Sequence, residues 1–400
     1  MVSVGSCRDR LAEIRSGTHA VIDLDRYNSN LRLLSRMAGP DMRVMAVVKA
    51  NAYGHGAVEC GRAALAAGCA YLGVARIDEA LQLRKAGITG SILVIGPPNP
   101  AQIREAIRND IALTVSTDTS AEAVVEGATS LSARATVHVK VDTGLHRYGA
   151  RPELAAQLVQ RIDGHEATQL EGVYTHFSSA DEEEARPTFD QIAQFEGTIA
   201  VIRERGVNPP LIHLANSAAI IEGLTSISNM VRAGIASYGL DPSDEIPAPS
   251  GVQQILSLRS VLTRRFTLMR GESVSYNRTY TAERDEPVAA VPIGYADGIE
   301  RHLSNRGWFV HADGRCPIIG RVCMDQTVVR VPATAREGDP LTVIGDGADR
   351  AMSVRMVGEL CGTNTYEPVT RIAARVPRLY VASGGPVSWS VPILNESGTL

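Results

Sequence analysis

Lys49 stands in the stretch Val44–Gly56, VMAVVKANAYGHG, where an apolar run gives way to small, polar and glycine residues. Val47 and Val48 are β-branched, and Gly54 and Gly56 form turns, so a buried strand ends near Lys49 and a loop follows. A lysine ammonium loses its charge readily when desolvated, which suits it to Schiff-base chemistry. The small residues beside it leave room for a ring, and Tyr53 and His55 can donate hydrogen bonds to a phosphate. Taken alone, Lys49 reads at least as well as a strand-end cation snorkelling to water.

Other chemistry-bearing residues also follow apolar runs. They are Asp142-Thr143-Gly144 with Arg147, His176 in GVYTHF, Ala215-Asn216-Ser217, and Arg232-Ala233-Gly234-Ile235. Singly, His176 reads as a satisfied core histidine and Arg232 as a surface cation. Ser217 and the amides of Gly234 and Ile235 form an anion cradle if a short helix opens at Ile235, because N–H groups at a helix start hold phosphate. In His138-Val139-Lys140-Val141-Asp142, alternate residues share a face, so Lys140 points inward with His138 and Asp142. A buried unpaired ammonium is costly, and pairing with Asp142 is its simplest relief.

The elements that must position these residues alternate. Strand patterns fall at 43–49, 71–75, 92–96, 111–115, 136–142, 170–176, 211–215 and 229–233. Helical stretches such as Arg76–Ala86, Pro100–Asn109, Pro152–Ile162 and Thr188–Arg205 lie between them. Eight strands alternating with helices predict an α/β fold, a (β/α)8 TIM-type barrel, and place the polar residues together at the mouth where its strands end. His19–Leu24 is left over as a ninth strand. Past a Pro/Asp/Ser-rich linker after Gly239, short β-rich runs separated by Gly-Asp turns predict a C-terminal mainly β domain. The expected organisation is a loose extension over 1–18, a barrel over 19–240, a β domain over 251–382 and a flexible tail over 383–400.

Composition narrows the class. Apolar residues make up 44% and charged residues 21% of 400, as in a soluble globular chain. A net charge of −4 gives no case for nucleic acid or an anionic membrane. No apolar run approaches the roughly 20 residues that span a bilayer. The N-terminal stretch has arginines but no apolar core, so no secretory signal is read there. Six scattered cysteines without a CxxC argue against a disulfide framework or a metal site and favour reduced thiols in a cytoplasm.

From about His19 to Leu379 the chain resembles the alanine racemases. The Lys49 stretch carries the resemblance together with Ser275-Tyr276-Asn277-Arg278-Thr279-Tyr280, Pro292–Gly298, Gly320-Arg321-Val322-Cys323-Met324-Asp325 and Asn364-Thr365-Tyr366-Glu367. The resemblance implies a pyridoxal phosphate (PLP) cofactor bound through Lys49. Its phosphate would be held by Tyr53, Ser217, Gly234 and Ile235, and touched by Tyr366. Arg232 would face the ring nitrogen. An arginine does not hand that nitrogen a proton as a carboxylic acid can, which argues for proton transfer over the decarboxylation of related barrels.

The resemblance further implies two bases, Lys49 and Tyr276, one on each face of the substrate Cα. An ordinary tyrosine titrates near about 10, so Tyr276 must be acidified by cations. The implied contact runs from Tyr276 through His176 to Arg232. Tyr276 would reach the partner subunit's barrel, giving a homodimer with shared sites. Tyr295, Met324 and Asp325 would lie near the substrate, the Met324 amide and Arg147 would meet its carboxylate, and Lys140 would be carbamylated to steady Arg147. The first short strand would join the second domain. His146 and Asn277 depart from the family pattern, which has a small residue and a glycine there. The implied activity is interconversion of L- and D-alanine, supplying D-alanine for peptidoglycan. A racemase of another amino acid such as serine, a PLP-barrel decarboxylase and a non-catalytic PLP-binding protein are the alternatives.

Overall fold

Runs rich in Val, Ile and Leu form the strands of a parallel sheet, and the amphipathic stretches between them form helices. The computed structural model describes residues 4–348 and 350–399, with side chains from Asp9 onward. The chain divides into two units, one of residues 28–53 and 57–252, the other of the N-terminal residues to 27, residues 54–56 and everything from Gln253.

Ahead of the barrel, β1 is His19–Asp23. The first unit is an eight-stranded parallel sheet: β2 (Arg43–Val47), β3 (Tyr71–Val74), β4 (Ser91–Val94), β5 (Ala112–Val115), β6 (Ala135–Lys140), β7 (Thr168–Tyr174), β8 (Leu211–His213) and β9 (Met230–Ala233). The strand order is β8-β7-β6-β5-β4-β3-β2-β9. Hydrogen bonds from Asn229 N to Ile212 O and from Arg232 N to Ala215 O, both 3.0 Å, join the two ends and close the ring. These are the eight expected strands, several ending up to two residues early because the chain leaves the sheet into its site loops.

Met45, Tyr71, Leu93, Ala112, Leu211 and Met230, from six different strands, fill one interior layer. Burying each large apolar side chain there contributes about 1.5–3 kcal/mol. Toward the C-terminal strand ends the buried residues turn polar, with His138, Lys140, Tyr174, His213 and Arg232. An apolar layer fills the interior, and a polar layer lies at the mouth where the strands end.

The second unit is mainly β. Its large sheet contains β10 (Leu256–Val261), with β1 paired antiparallel to β10 and parallel to the strand Arg378–Ala382. The leftover first strand therefore lies where the family resemblance put it. Trp308–His311 pairs antiparallel with Gly314–Pro317 as a hairpin around the Asp313-Gly314 turn. At Gly54, with φ +86°, a Cβ would meet Val369 O at 2.0 Å. The buried Arg378 guanidinium donates to Gly54 O at 3.1 and 3.2 Å and to the carbonyls of Ile372, Ala373 and Val376. This clamp ties Gly54 into the β unit.

Two expectations fail. The N-terminal extension is no loose segment: Val4–Arg15 is helical, and Leu11 and Ile14 pack on Leu379, Trp389 and Val391. The tail from Ser383 is no structureless segment: Gly385–Val391 and Glu396–Thr399 add two strands to the large sheet. In both, apolar residues at helical or alternating spacing override a polar composition.

Candidate active site

Lys49 lies just past β2, and the four residues after it are Ala50, Asn51, Ala52 and Tyr53. All have φ between 51° and 54°, one left-handed helical turn. Each non-glycine residue held there costs roughly 1–2 kcal/mol, so surrounding contacts must over-determine the turn. Glu79 supplies several of them. Its Oε1 accepts Ala50 N at 2.6 Å, and its Oε2 accepts Ala75 N at 2.7 Å and Arg76 N at 3.1 Å. Asn51 Oδ1 accepts Ala57 N at 2.9 Å. Glu79 belongs to a helix that sequence reading treated only as scaffold.

The turn brings Tyr53 back beneath the lysine, with Nζ of Lys49 at 5.8 Å from the Tyr53 ring centre. Tyr53 packs on Tyr238, ring centres 5.0 Å apart, and Tyr238 donates its hydroxyl to Val47 O at 2.7 Å. Burial pulls the Lys49 ammonium below its usual pKa, and the charges of Arg147 and Arg232 lower it further against the pull of Glu79. The result is a lysine predisposed to be a neutral nucleophile.

Ser217 opens the short helix Ser217–Ile221, capped by Asn216, whose Oδ1 accepts Ala219 N at 3.0 Å. The Ser217 hydroxyl accepts Gly234 N at 2.9 Å and Ala236 N at 3.3 Å, at the start of the 3-10 turn Ile235–Tyr238. A Cβ on Gly234 would lie 3.0 Å from the Tyr53 hydroxyl and 3.6 Å from Ser217 Oγ. Glycine leaves open a space bordered by two hydroxyls and by backbone amides, and a phosphate suits that donor set.

Arg232 is 3% exposed, within β9. Its Nη2 donates to Thr175 O and Leu214 O at 2.9 Å and to His176 Nδ1 at 3.0 Å, while Nη1 donates to His213 Nδ1 at 3.1 Å. Burial pushes its pKa down to about 10, which still leaves it charged at neutral pH. His176 is driven well below the usual histidine range by burial and then by Arg232. Arginine can only donate, so His176 Nδ1 accepts and its proton sits on Nε2. Gln191, absent from the sequence reading, braces this loop by donating to Thr143 Oγ1 at 3.1 Å and His176 O at 3.2 Å.

Lys140 ends β6 and is 2% exposed. Pairing with Asp142 does not form. The Asp142 carboxylate instead accepts Gly144 N at 3.2 Å, His146 N at 3.0 Å and His146 Nδ1 at 3.2 Å. Among the described residues, no carboxylate lies within ion-pair distance of Lys140. Its Nζ donates to Tyr148 O at 2.5 Å and lies 3.7 Å from the Tyr148 ring centre. Burial, then Arg147 and Arg232, lower its pKa to about 8. Arg147 is exposed, its guanidinium carbon 5.9 Å from the same ring.

The remaining candidates lie in the β unit. Ser275 Oγ donates to Arg321 O at 2.6 Å, and Tyr295 N and Ala296 N donate to the carbonyls of Cys323 and Met324, each at 3.0 Å. These bonds tie three loops into one cluster. On it Tyr276 is 68% exposed, Met324 53% and Tyr295 43%. Asp325 is exposed and pairs with Arg375 at 2.8 Å, and half-buried Tyr366 opens the helix Tyr366–Thr370. The two departures from the family pattern share one backbone feature: His146 has φ 52° and Asn277 φ 63°. Left-handed positions favour glycine, so both substitutions are exchanges at backbone-defined sites.

Residues 22–242 match the model of the alanine racemase N-terminal domain, and residues 255–380 that of the C-terminal domain. An alanine racemase of Halalkalibacterium halodurans is 41% identical over 378 residues, covering 93% of this chain and 97% of that protein. One of Methanococcus maripaludis is 38% identical, covering 90% and 98%. The crystal structure of alanine racemase from Bacillus anthracis with bound L-Ala-P superposes with TM-score 0.89 at 38% identity, covering 95% of this chain and 98% of that one. That of alanine racemase from Streptomyces lavendulae gives 0.85 at 38%, covering 92% and 97%.

Proposed function

This chain belongs to the alanine racemase family, and we propose that it interconverts L- and D-alanine with pyridoxal phosphate, supplying D-alanine for peptidoglycan. The observation that carries this reading is the juxtaposition of Lys49 with its pKa lowered by burial, a cradle of hydroxyls and amides at Tyr53, Ser217 and Gly234, and a buried Arg232 in one barrel. Bound PLP supplies an electron sink for the electrons left when a proton leaves Cα.

The chain's own residues do the rest. Lys49 holds the cofactor covalently and, once released, takes or gives the Cα proton on one face. Tyr53, Ser217, the Gly234 and Ile235 amides and Tyr366 hold the phosphate. Arg232 holds the ring nitrogen as a donor that keeps its own proton. Tyr276 of the partner subunit serves the opposite face of Cα. Neutral His176, with its proton on Nε2, donates to the Tyr276 phenolate and so favours it, with Arg232 supplying the positive charge behind. Arg147 and the Met324 amide bind the substrate carboxylate, Tyr295 and Asp325 border its approach, and Lys140 as a carbamate steadies Arg147. A buried amine with a pKa near 8 has a substantial neutral fraction, which is the form that reacts with carbon dioxide.

The homodimer rests on Tyr276, Tyr295 and Met324, large side chains exposed on one loop cluster. Mixing Lys49→Ala and Tyr276→Phe proteins tests it. Shared sites give each hybrid dimer one intact site of two, and with hybrids about half of an equal mixture the mixture recovers roughly a quarter of full activity. No recovery on mixing contradicts the shared arrangement.

A further inference from the structure

A hydrogen-bonded chain runs on from Arg232 through the barrel interior. His213 Nε2 meets His138 Nδ1 at 3.0 Å, and His138 Nε2 meets Glu171 Oε2 at 2.9 Å. The protons can be placed without seeing them. Arg232 only donates, so His213 Nδ1 accepts and its proton lies on Nε2. His138 Nδ1 therefore accepts, and its own Nε2–H points at the carboxylate. Every donor in the chain points the same way, and Glu171 is the terminal acceptor. The stack of His213 on Tyr174, ring centres 4.6 Å apart and 7° from parallel, holds the middle ring in plane.

The sequence builds this chain with two local devices. Along β6 and β7, Val137 pairs with Leu170 but His138 pairs with Gly172, leaving Glu171 as the extra residue of a bulge. A bulge re-aims a side chain, and here it turns Glu171 to the histidine. A Cβ on Gly172 would lie 2.4 Å from His138 Nδ1, so glycine makes room for the ring. Burial alone would raise the Glu171 pKa, but hydrogen bonds from His138 and Tyr71 outweigh it and keep the carboxylate ionised.

We propose that Glu171 is a positioning residue for racemisation: through His138 and His213 it fixes the orientation of Arg232. The proposal rests on Arg232 holding the cofactor ring nitrogen. No proton crosses the chain. The carboxylate polarises two imidazoles in series, which makes His213 Nδ1 a stronger acceptor and ties down the Arg232 protons. A ring nitrogen facing that arginine is then left unprotonated.

Side-chain nitrogen-15 NMR of the full-length protein without substrate, together with steady-state kinetics of the PLP-loaded enzyme, tests this. Wild type should show His138 and His213 both protonated on Nε2, and a His213 proton on Nδ1 overturns the chain outright. In Glu171→Leu the tautomers, set from the Arg232 end, should persist, but the His138 Nε2 proton loses its acceptor and the nitrogen-15 shifts of His138 and His213 should move away from their wild-type values, with kcat for alanine about tenfold lower and KM within about twofold. In Glu171→Gln, whose amide oxygen still accepts, the tautomers should persist and kcat stay within about threefold. A folded Glu171→Leu protein with wild-type nitrogen-15 shifts at both histidines and wild-type kcat refutes the positioning role. If that variant does not fold, tautomers lost in Glu171→Gln refute it instead. The NMR reading needs no turnover, so it is independent of whether alanine is the substrate.

Discussion

The carboxylate of Glu79 accepts the amide of Ala50 at 2.6 Å, at the first residue of the left-handed turn that follows Lys49. The same carboxylate takes two amides from the loop after β3. One acidic side chain thus joins two site loops and opposes the strain of four non-glycine residues. Glu79→Ala leaves three amides without this charged acceptor, a loss of about 1–3 kcal/mol. The expected result is a lower unfolding midpoint and weaker PLP affinity, read by cofactor absorbance during titration. Unchanged affinity would show that the turn does not depend on this brace.

Tyr276→Phe removes one of two bases. Proton exchange at Cα should fall about 100- to 10,000-fold starting from one enantiomer of alanine. From the other, the Lys49 face should still exchange. Equal losses from both enantiomers would argue against a base confined to one face.

Lys140 carries a pH signature. Its pKa is 10.5 when unfolded and about 8 when folded, so between these values the unfolded chain holds a proton that the folded chain lacks. Stability therefore rises with pH across that window, and the penalty of the buried cation is fully present below about 8. In carbon-dioxide-free buffer, Lys140→Met should be more stable than wild type at pH 7, with the gap closing as pH approaches 10.5. With labelled bicarbonate, wild type should show a carbamate signal in carbon-13 NMR and Lys140→Met none. No signal in wild type would leave Arg147 without the proposed partner.

His146 and Asn277 depart from the family pattern, each next to a candidate site residue, Arg147 and Tyr276. Both occupy left-handed backbone. His146→Gly and Asn277→Gly should fold at least as well and keep kcat/KM for alanine within about twofold, because glycine pays no Cβ penalty there. Serine should gain nothing relative to alanine. A shift in that ratio would assign these side chains to specificity.

What the sequence disclosed depended on range. Barrel strands such as Arg43–Val47 and Met230–Ala233 are short apolar runs, and the residues after them follow by rule. Lys49, His176, Ser217 and Arg232 were therefore legible as one mouth. The left-handed turn was not, because Ala50 and Ala52 carry no turn signal and the turn depends on a side chain 29 residues away. Glu171 and His213 were read as strand residues, although a Glu-Gly pair inside an apolar strand is a bulge signal. The tail was misjudged from its Gly, Ser and Pro, while Val387, Trp389 and Val391 alternate as a half-buried strand does.

The central claim is proton exchange at Cα without loss of carbon dioxide. Purified protein with PLP and L-alanine in D2O, followed by chiral separation and by gas analysis of the same sample, tests it most directly. The account predicts D-alanine carrying solvent deuterium at Cα and no carbon dioxide. Carbon dioxide release, or no D-alanine from protein with PLP bound, would contradict it.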